Sequence, residues 1–263
     1  MLLNEKALTF FDRMLDRLGI HSDTMGRLFY FLFNKKLRRQ YLISESDEHW
    51  LFAFNDRTLF LRKHDMADLI VFWQIIHERI YDFPVSLRRA PKHVVDCGAN
   101  IGISAAYFAE KFPESKVYGL EIDEGNLVLM RKNSEQFGTR VIPVGAGIYK
   151  TDGQLYFEKG DYNYSHKLAP SGTRQIDTLS LATVMAKFDI DFIDILKVDI
   201  EGGEFDLVDT LDHCLPKVGC VMIEFEKPHK NRADVDAFKE KLRNNRFVHS
   251  GSRVNVDCYV SAR

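Results

Sequence analysis

The chain has 263 residues, 45% hydrophobic and 28% charged, with a formal net charge of −2. That suits a large core with an appendage and offers no basic field to draw nucleic acid. Cys97, Cys214, Cys220 and Cys258 show no C-x-x-C spacing, which excludes a recognisable zinc or disulfide pattern and fits a reducing, cytoplasmic setting. No apolar run reaches the roughly 20 residues that span a bilayer. Asn4, Glu5, Lys6 and Asp12 speak against a signal peptide.

Leu2, Leu3, Leu8, Phe11, Met14, Leu15 and Leu18 recur at helical spacing. A second helix is expected after the cap candidate Asp23. It carries Leu28-Phe29-Tyr30-Phe31-Leu32-Phe33 and then the basic cluster Lys35-Lys36-Leu37-Arg38-Arg39. Residues 24–40 therefore suit peripheral contact with an anionic membrane or a lipid-linked substrate. The alternative is a helix packed on the domain with its cations solvated. Trp50-Leu51-Phe52-Ala53-Phe54, a polar turn, and Thr58-Leu59-Phe60-Leu61 predict a hairpin. Leu69, Phe72, Ile75, Ile76 and Ile80 predict an amphipathic helix. The stretch from Pro84 to Pro91 marks a boundary, dividing a 1–90 extension from a 91–263 domain.

From residue 93, strand and helix patterns alternate, the signature of a mostly parallel sheet covered by helices. Strands are expected at 94–97, 116–121, 140–144, 192–199 and 218–225, with an antiparallel pair at 247–248 and 254–260. Helices are expected at 101–111, 125–137, 180–187 and 232–244. A short β excursion covers Gln154 to Glu158. The polar, aromatic stretch from Gly160 to Gly172, with Tyr162, Tyr164 and His166, reads as an active-site lid or an ordinary exposed loop.

The first of these strands is the most informative. Val94-Val95 favours a buried strand. Cys97 in the turn that follows reads as a small buried filler rather than a reactive thiol. The chain then breaks at Gly98-Ala99-Asn100-Ile101-Gly102 and opens a helix. Glycines here let a ligand approach the backbone, and the first helical N–H groups face the same crevice. Asp96 would repel a pyrophosphate but suits a cationic sulfonium, which points to S-adenosylmethionine. Glu121 ends the next strand about 20 residues on, where an acid meets ribose hydroxyls in dinucleotide folds. A dinucleotide itself fits less well, because G-x-G-x-x-G is missing. Gly145-Ala146-Gly147, after the third strand, is small enough to admit an adenine. The expected cofactor-side residues are Asp96, Gly98, Ala99, Asn100, Gly102, Ser104, Glu121, Ile122, Ala146 and Asp199.

Ligands in open α/β sheets bind where strand order reverses, so Asp96-Cys-Gly and Asp199-Ile-Glu-Gly-Gly should converge. Lys197, Asp199 and Glu201 alternate along an extended strand end and are the catalytic candidates. Asp199 comes first as base or substrate anchor, Glu201 second. Glu201 and Glu204 also suit simple helix-dipole complementation, and Lys197 suits ion pairing. Glu224, His229 and His166 are reserves. Asp199 and Glu201 together could hold Mg²⁺, but a third ligand is not evident.

The blocks Val95-Asp96-Cys-Gly98-Ala99-Asn100-Ile-Gly102 and Lys197-Val-Asp199-Ile-Glu201-Gly202-Gly-Glu204, with Glu121, resemble the FkbM family of S-adenosylmethionine-dependent methyltransferases. The resemblance spans about residues 65–250 and is most specific in the second block. Asp68, Phe72 and Tyr81 also fall where that family often has an S-D-x-x-x-F…Y pattern, although Ala67 replaces the serine. It implies a class I Rossmann-like α/β fold, to which the 247–260 pattern adds one antiparallel closing strand, and S-adenosylmethionine as cofactor. The family mostly methylates hydroxyls on sugars or polyketides, so methylation of a hydroxyl on a sugar, glycolipid or natural product is the leading expectation. N-methylation, Mg-assisted O-methylation and a catalytically silent adaptor are the competing readings.

Overall fold

The computed structural model describes residues 35–63, 65–85, 87, 89–159, 166–169, 174–200, 203–207, 211–225 and 232–262. The expected helices before residue 35 lie outside them, as do Glu201 and His229.

Residues 35–41 are helical and lead into three antiparallel strands, β1 (Leu42–Glu45), β2 (His49–Phe54) and β3 (Arg57–Arg62). The alternation in β2 buries Trp50, Phe52 and Phe54 on one face, as a half-buried strand requires. Asp65 caps α1 (Met66–Phe72) by accepting from the Ala67 N–H. The helix then widens into a π turn, Trp73–His77. Asp68, from the segment that resembles the family pattern, serves the scaffold. It is buried and accepts from the Arg62 guanidinium at 2.6 and 2.9 Å and from the Arg62 N–H at 2.8 Å.

The main sheet is built from β4 (His93–Cys97), β5 (Lys116–Glu121), β6 (Val141–Gly145), β11 (Ile193–Val198), β12 (Val218–Glu224), β13 (Phe247–Arg253) and β14 (Val256–Ser261). Its order is β13-β14-β12-β11-β4-β5-β6, parallel except for β14. Order reverses between β4 and β11, so the crevice of interest lies at their carboxyl ends. Helices α2 (Ile103–Lys111), α3 (Glu124–Ser134), α4 (Leu181–Lys187), α5 (Glu204–Leu207) and α6 (Arg232–Asn244) fill the connections. Strand alternation splits the core. Val94, Ile195 and Met222 join Ile103 and Phe108 of α2 with Trp50 and Phe52 of the small sheet. Val95, Leu196 and Val221 join Val184 of α4 and Phe238 of α6. The N-terminal sheet thus shares a core with the α/β unit.

A second small sheet lies between β6 and α4. Its strands are β7 (Gly147–Ile148), β8 (Gly153–Lys159), β9 (His166–Ala169) and β10 (Arg174–Leu179), in the order β7-β10-β8-β9. Only β8 was expected from the sequence. Residues 166–169, expected in a lid or loop, instead form β9 against β8. The helix expected from residue 101 begins at Ile103, because Asn100 (φ 50°) and Gly102 (φ 86°) are left-handed.

Candidate active site

The turn after β4 is held from several sides. The Gly98 and Ala99 N–H groups donate to the Leu120 carbonyl at 3.0 and 2.9 Å, and Gly102 N–H donates to the Ala99 carbonyl at 2.8 Å. Left-handed Asn100 accepts through Oδ1 from the Ile101 N–H at 2.7 Å. A Cβ on Gly98 would overlap the Asp199 carbonyl, and one on Gly102 would press on Met130. Glycine is therefore required twice, once so that the first and fourth strand ends can touch and once so that α2 can pack on α3. The Asp199 N–H closes the junction by donating to the Cys97 carbonyl at 3.1 Å.

Lys197 and Asp96 are register partners on neighbouring parallel strands, so their side chains share a face. Lys197 is 1% exposed and Asp96 is 0% exposed. The ammonium lies 2.9 Å from Asp96 Oδ1 and 3.4 Å from Asp199 Oδ2, and donates to the Gly98 carbonyl at 2.7 Å. Ser104 Oγ donates to Asp96 Oδ2 at 2.6 Å. Burial alone would lower the Lys197 pKa. Asp96, the Tyr81 phenol and Asp199 more than reverse this and leave it well above the usual lysine value. Tyr81 covers the group, with its ring centroid 5.9 Å from the ammonium. Its phenol is pushed well above the usual range, mainly by burial, against the opposing pull of Lys197. Lys197 is thus a fixed cation with its donors engaged.

Asp96 sits beneath the loop with both oxygens engaged by Lys197 and Ser104, so any influence on a ligand passes through them. Asp199 differs: its side chain is 27% exposed, at the mouth. On the other side of the loop, Glu121 Oε2 accepts from the Asn100 N–H at 2.8 Å. Its Oε1 accepts from the Ile122 and Asp123 N–H groups at 2.9 and 2.8 Å. Three backbone donors thereby orient the carboxylate between the loop and its own strand end.

The structure therefore gathers Asp96, Gly98, Ala99, Asn100, Gly102, Ser104, Glu121, Ile122, Lys197 and Asp199 around one crevice. Ala146 follows Gly145, the register partner of Glu121, but its side chain is buried among Val144, Ile148 and Leu181. Glu224 ends β12 and accepts from the Asn255 amide. Burial pushes the Cys97 thiol up, with Asp96 adding to it, as expected for an inert filler. Among the described residues, no three His, Cys, Asp or Glu side chains gather as a metal group. Tyr81 was expected only through the family pattern, and Asn133 was not expected at all. The signal for Asn133 was a polar residue in phase with Leu127 and Met130 on the inner face of α3.

Strand order, the glycine turn at the reversal and the acid ending the second strand define a class I Rossmann-like α/β protein of the methyltransferase type. The methyltransferase FkbM domain model matches residues 96–248, and the chain belongs to that family. Hexuronic acid methyltransferase AglP of Haloferax volcanii is 27% identical over 131 residues, which cover 49% of this chain and 54% of that protein. The match thus spans about half the length of the relative. Among solved structures, the Methanococcus jannaschii fibrillarin pre-rRNA processing protein aligns with 84% of this chain and 87% of its own, at 10% identity and a TM-score of 0.46. A methyltransferase from Pyrococcus furiosus aligns with 90% and 99%, at 12% identity and a TM-score of 0.43.

Proposed function

We propose that the chain is an S-adenosylmethionine-dependent methyltransferase that methylates a hydroxyl group of a sugar or glycolipid. The observation that carries this reading is the Asp199 carboxylate. It is anchored by a buried lysine, stands at the crevice mouth, and adjoins a glycine turn whose far side ends in Glu121. The family membership supports methyl transfer. The hexuronic acid named for the archaeal relative supports a sugar acceptor.

The residues present fit the donor by their chemistry. Glu121 is placed to accept from a ribose diol. Gly98 to Gly102 let a ligand lie against the backbone, and the start of α2 supplies N–H groups to the same space. The only lysine in the group is consumed inside, so the mouth presents carboxylates, which favour a cation. Bound there, S-adenosylmethionine supplies an electrophilic methyl group on a positive sulfur.

Asp199 accepts a hydrogen bond from the acceptor hydroxyl, orients its oxygen, takes its proton as the oxygen is alkylated, and releases that proton to solvent. A positioned general base of this kind contributes on the order of 10²–10⁴-fold. Glu201 is the second candidate for this role. Lys197 does not exchange protons, because its raised pKa keeps it charged. It fixes the Asp199 carboxylate and the Gly98 carbonyl relative to each other. The basic segment from Lys35 to Arg39 leaves Lys35, Lys36 and Arg39 exposed while Leu37 is buried in the core. That arrangement is compatible with an anionic lipid-linked acceptor.

Incubation with radiolabelled S-adenosylmethionine and fractionated glycans and glycolipids tests the reading. Label that enters a carbohydrate fraction as an ether, stable to mild base, supports it. Label found only as an amine or in protein overturns the hydroxyl acceptor.

A further inference from the structure

We infer that Asn133 is a positioning residue for the donor loop, through which the N-terminal sheet braces the site; this rests on the reading of the crevice as the methyl-donor site. Asn133 lies on the inner face of α3 and is 1% exposed. Its Oδ1 accepts from the Phe60 N–H at 2.7 Å and its Nδ2 donates to the Phe60 carbonyl at 3.1 Å. The amide thus takes the place of a neighbouring strand along the outer edge of β3. The same Nδ2 donates to the Ile101 carbonyl of the glycine loop at 2.8 Å. One side chain therefore ties a strand 73 residues away to the donor loop.

Gln136, one helical turn on, is a natural control. Its Oε1 accepts from the Thr58 N–H at 3.1 Å and its Nε2 donates to the Thr58 carbonyl, two residues earlier on the same strand edge. Its third bond runs to the Asn133 carbonyl at 3.1 Å, not to the loop. Both amides dock the sheet with two bonds to the strand edge, but of the two only Asn133 sends its third bond to the loop.

The Ile101 carbonyl is a sensitive point. Ile101 sits between two left-handed residues, Asn100 and Gly102, so neither helix nor strand geometry sets its peptide planes. The adjoining Asn100 N–H binds Glu121 Oε2, the carboxylate proposed for the ribose. A carbonyl freed at Ile101 would let the loop turn and carry Glu121 with it.

Full-length wild type, Asn133→Ala and Gln136→Ala are titrated with S-adenosylhomocysteine by calorimetry, with thermal midpoints and hydrogen exchange over residues 98–102 measured in parallel. Asn133→Ala should weaken binding about fivefold, the worth of one ordinary hydrogen bond, and speed exchange in the loop. Gln136→Ala should lower the midpoint comparably yet keep affinity within about twofold. Asn133→Gln keeps a neutral amide at the strand edge but displaces its donor from the Ile101 carbonyl by one methylene, so it should share the affinity loss of Asn133→Ala even if the alanine variant folds poorly. At saturating donor, the turnover of Asn133→Gln should stay near wild type while its donor KM rises. Equal affinities in the Asn133 and Gln136 variants, with a binding wild type, overturn this inference alone. A wild type that does not bind overturns the donor reading and this inference with it.

Discussion

The carboxyl ends of β4 and β11 carry the same ingredients, an aspartate followed by glycines, yet they do different work. Asp96 lies within its strand, level with Lys197 and fully buried, and both its oxygens are used by the lysine and Ser104. Asp199 lies one residue past its strand, where the same lysine reaches it only from below and solvent reaches it from above. Two residues of travel along a strand thus separate a carboxylate sealed in the fold from one open to solvent, the one proposed as base. Residue type did not separate the two aspartates; exposure did, 0% for the Asp96 side chain and 27% for that of Asp199.

The sharpest way to break this contrast is Lys197→Met. It strands the buried Asp96 carboxylate and should cost about 3–5 kcal/mol, read from denaturant unfolding. Adding Asp96→Asn should recover part of that loss, and a fully additive double variant would contradict the pairing. Asp199→Asn should leave unfolding nearly unchanged and lower turnover about 10²-fold. If it destabilises as much as Lys197→Met, the two aspartates are not distinct. Glu121→Gln keeps the side-chain shape and removes the charge facing the donor, so S-adenosylhomocysteine affinity should fall about tenfold while acceptor KM holds. The smallest expected effect is one of pH. The Lys197 pKa is raised in the folded chain, so its contribution is whole below the unfolded value near 10.4 and fades only as pH rises through the folded value. The stability gap between wild type and Lys197→Met should therefore hold or widen, and not shrink, from about pH 7 to about pH 10, since the variant leaves a buried carboxylate uncompensated. A gap that closes within that range would show that the lysine sheds its proton there.

The parallel strands were legible because Val94-Val95, Val117-Tyr118 and Ile193 to Val198 are buried on both faces and read as short apolar, β-branched stretches, interrupted in β11 by Asp194 and Lys197. The glycine turn was legible because positive φ leaves a compositional trace. β10 was not read, since Arg174–Leu179 offers only Ile176 and Thr178 to a buried face between polar neighbours. The interior position of Asp96 depends on register with a strand about 100 residues on, which no local pattern encodes. Asn133 escaped for the same reason: its partners are the backbone groups of Phe60 and Ile101, and backbone leaves no residue signature.

The central claim is that the crevice between β4, β5 and β11 receives a positively charged methyl donor. Calorimetric titration of the full chain with S-adenosylmethionine, beside Glu121→Gln and Asp199→Asn, tests it most directly. We expect saturable one-site heat in the wild type, clearly weaker binding in Glu121→Gln, and a smaller loss in Asp199→Asn, which removes one of the carboxylates facing the cation. Absence of heat in the wild type, or identical affinity in all three proteins, would contradict it.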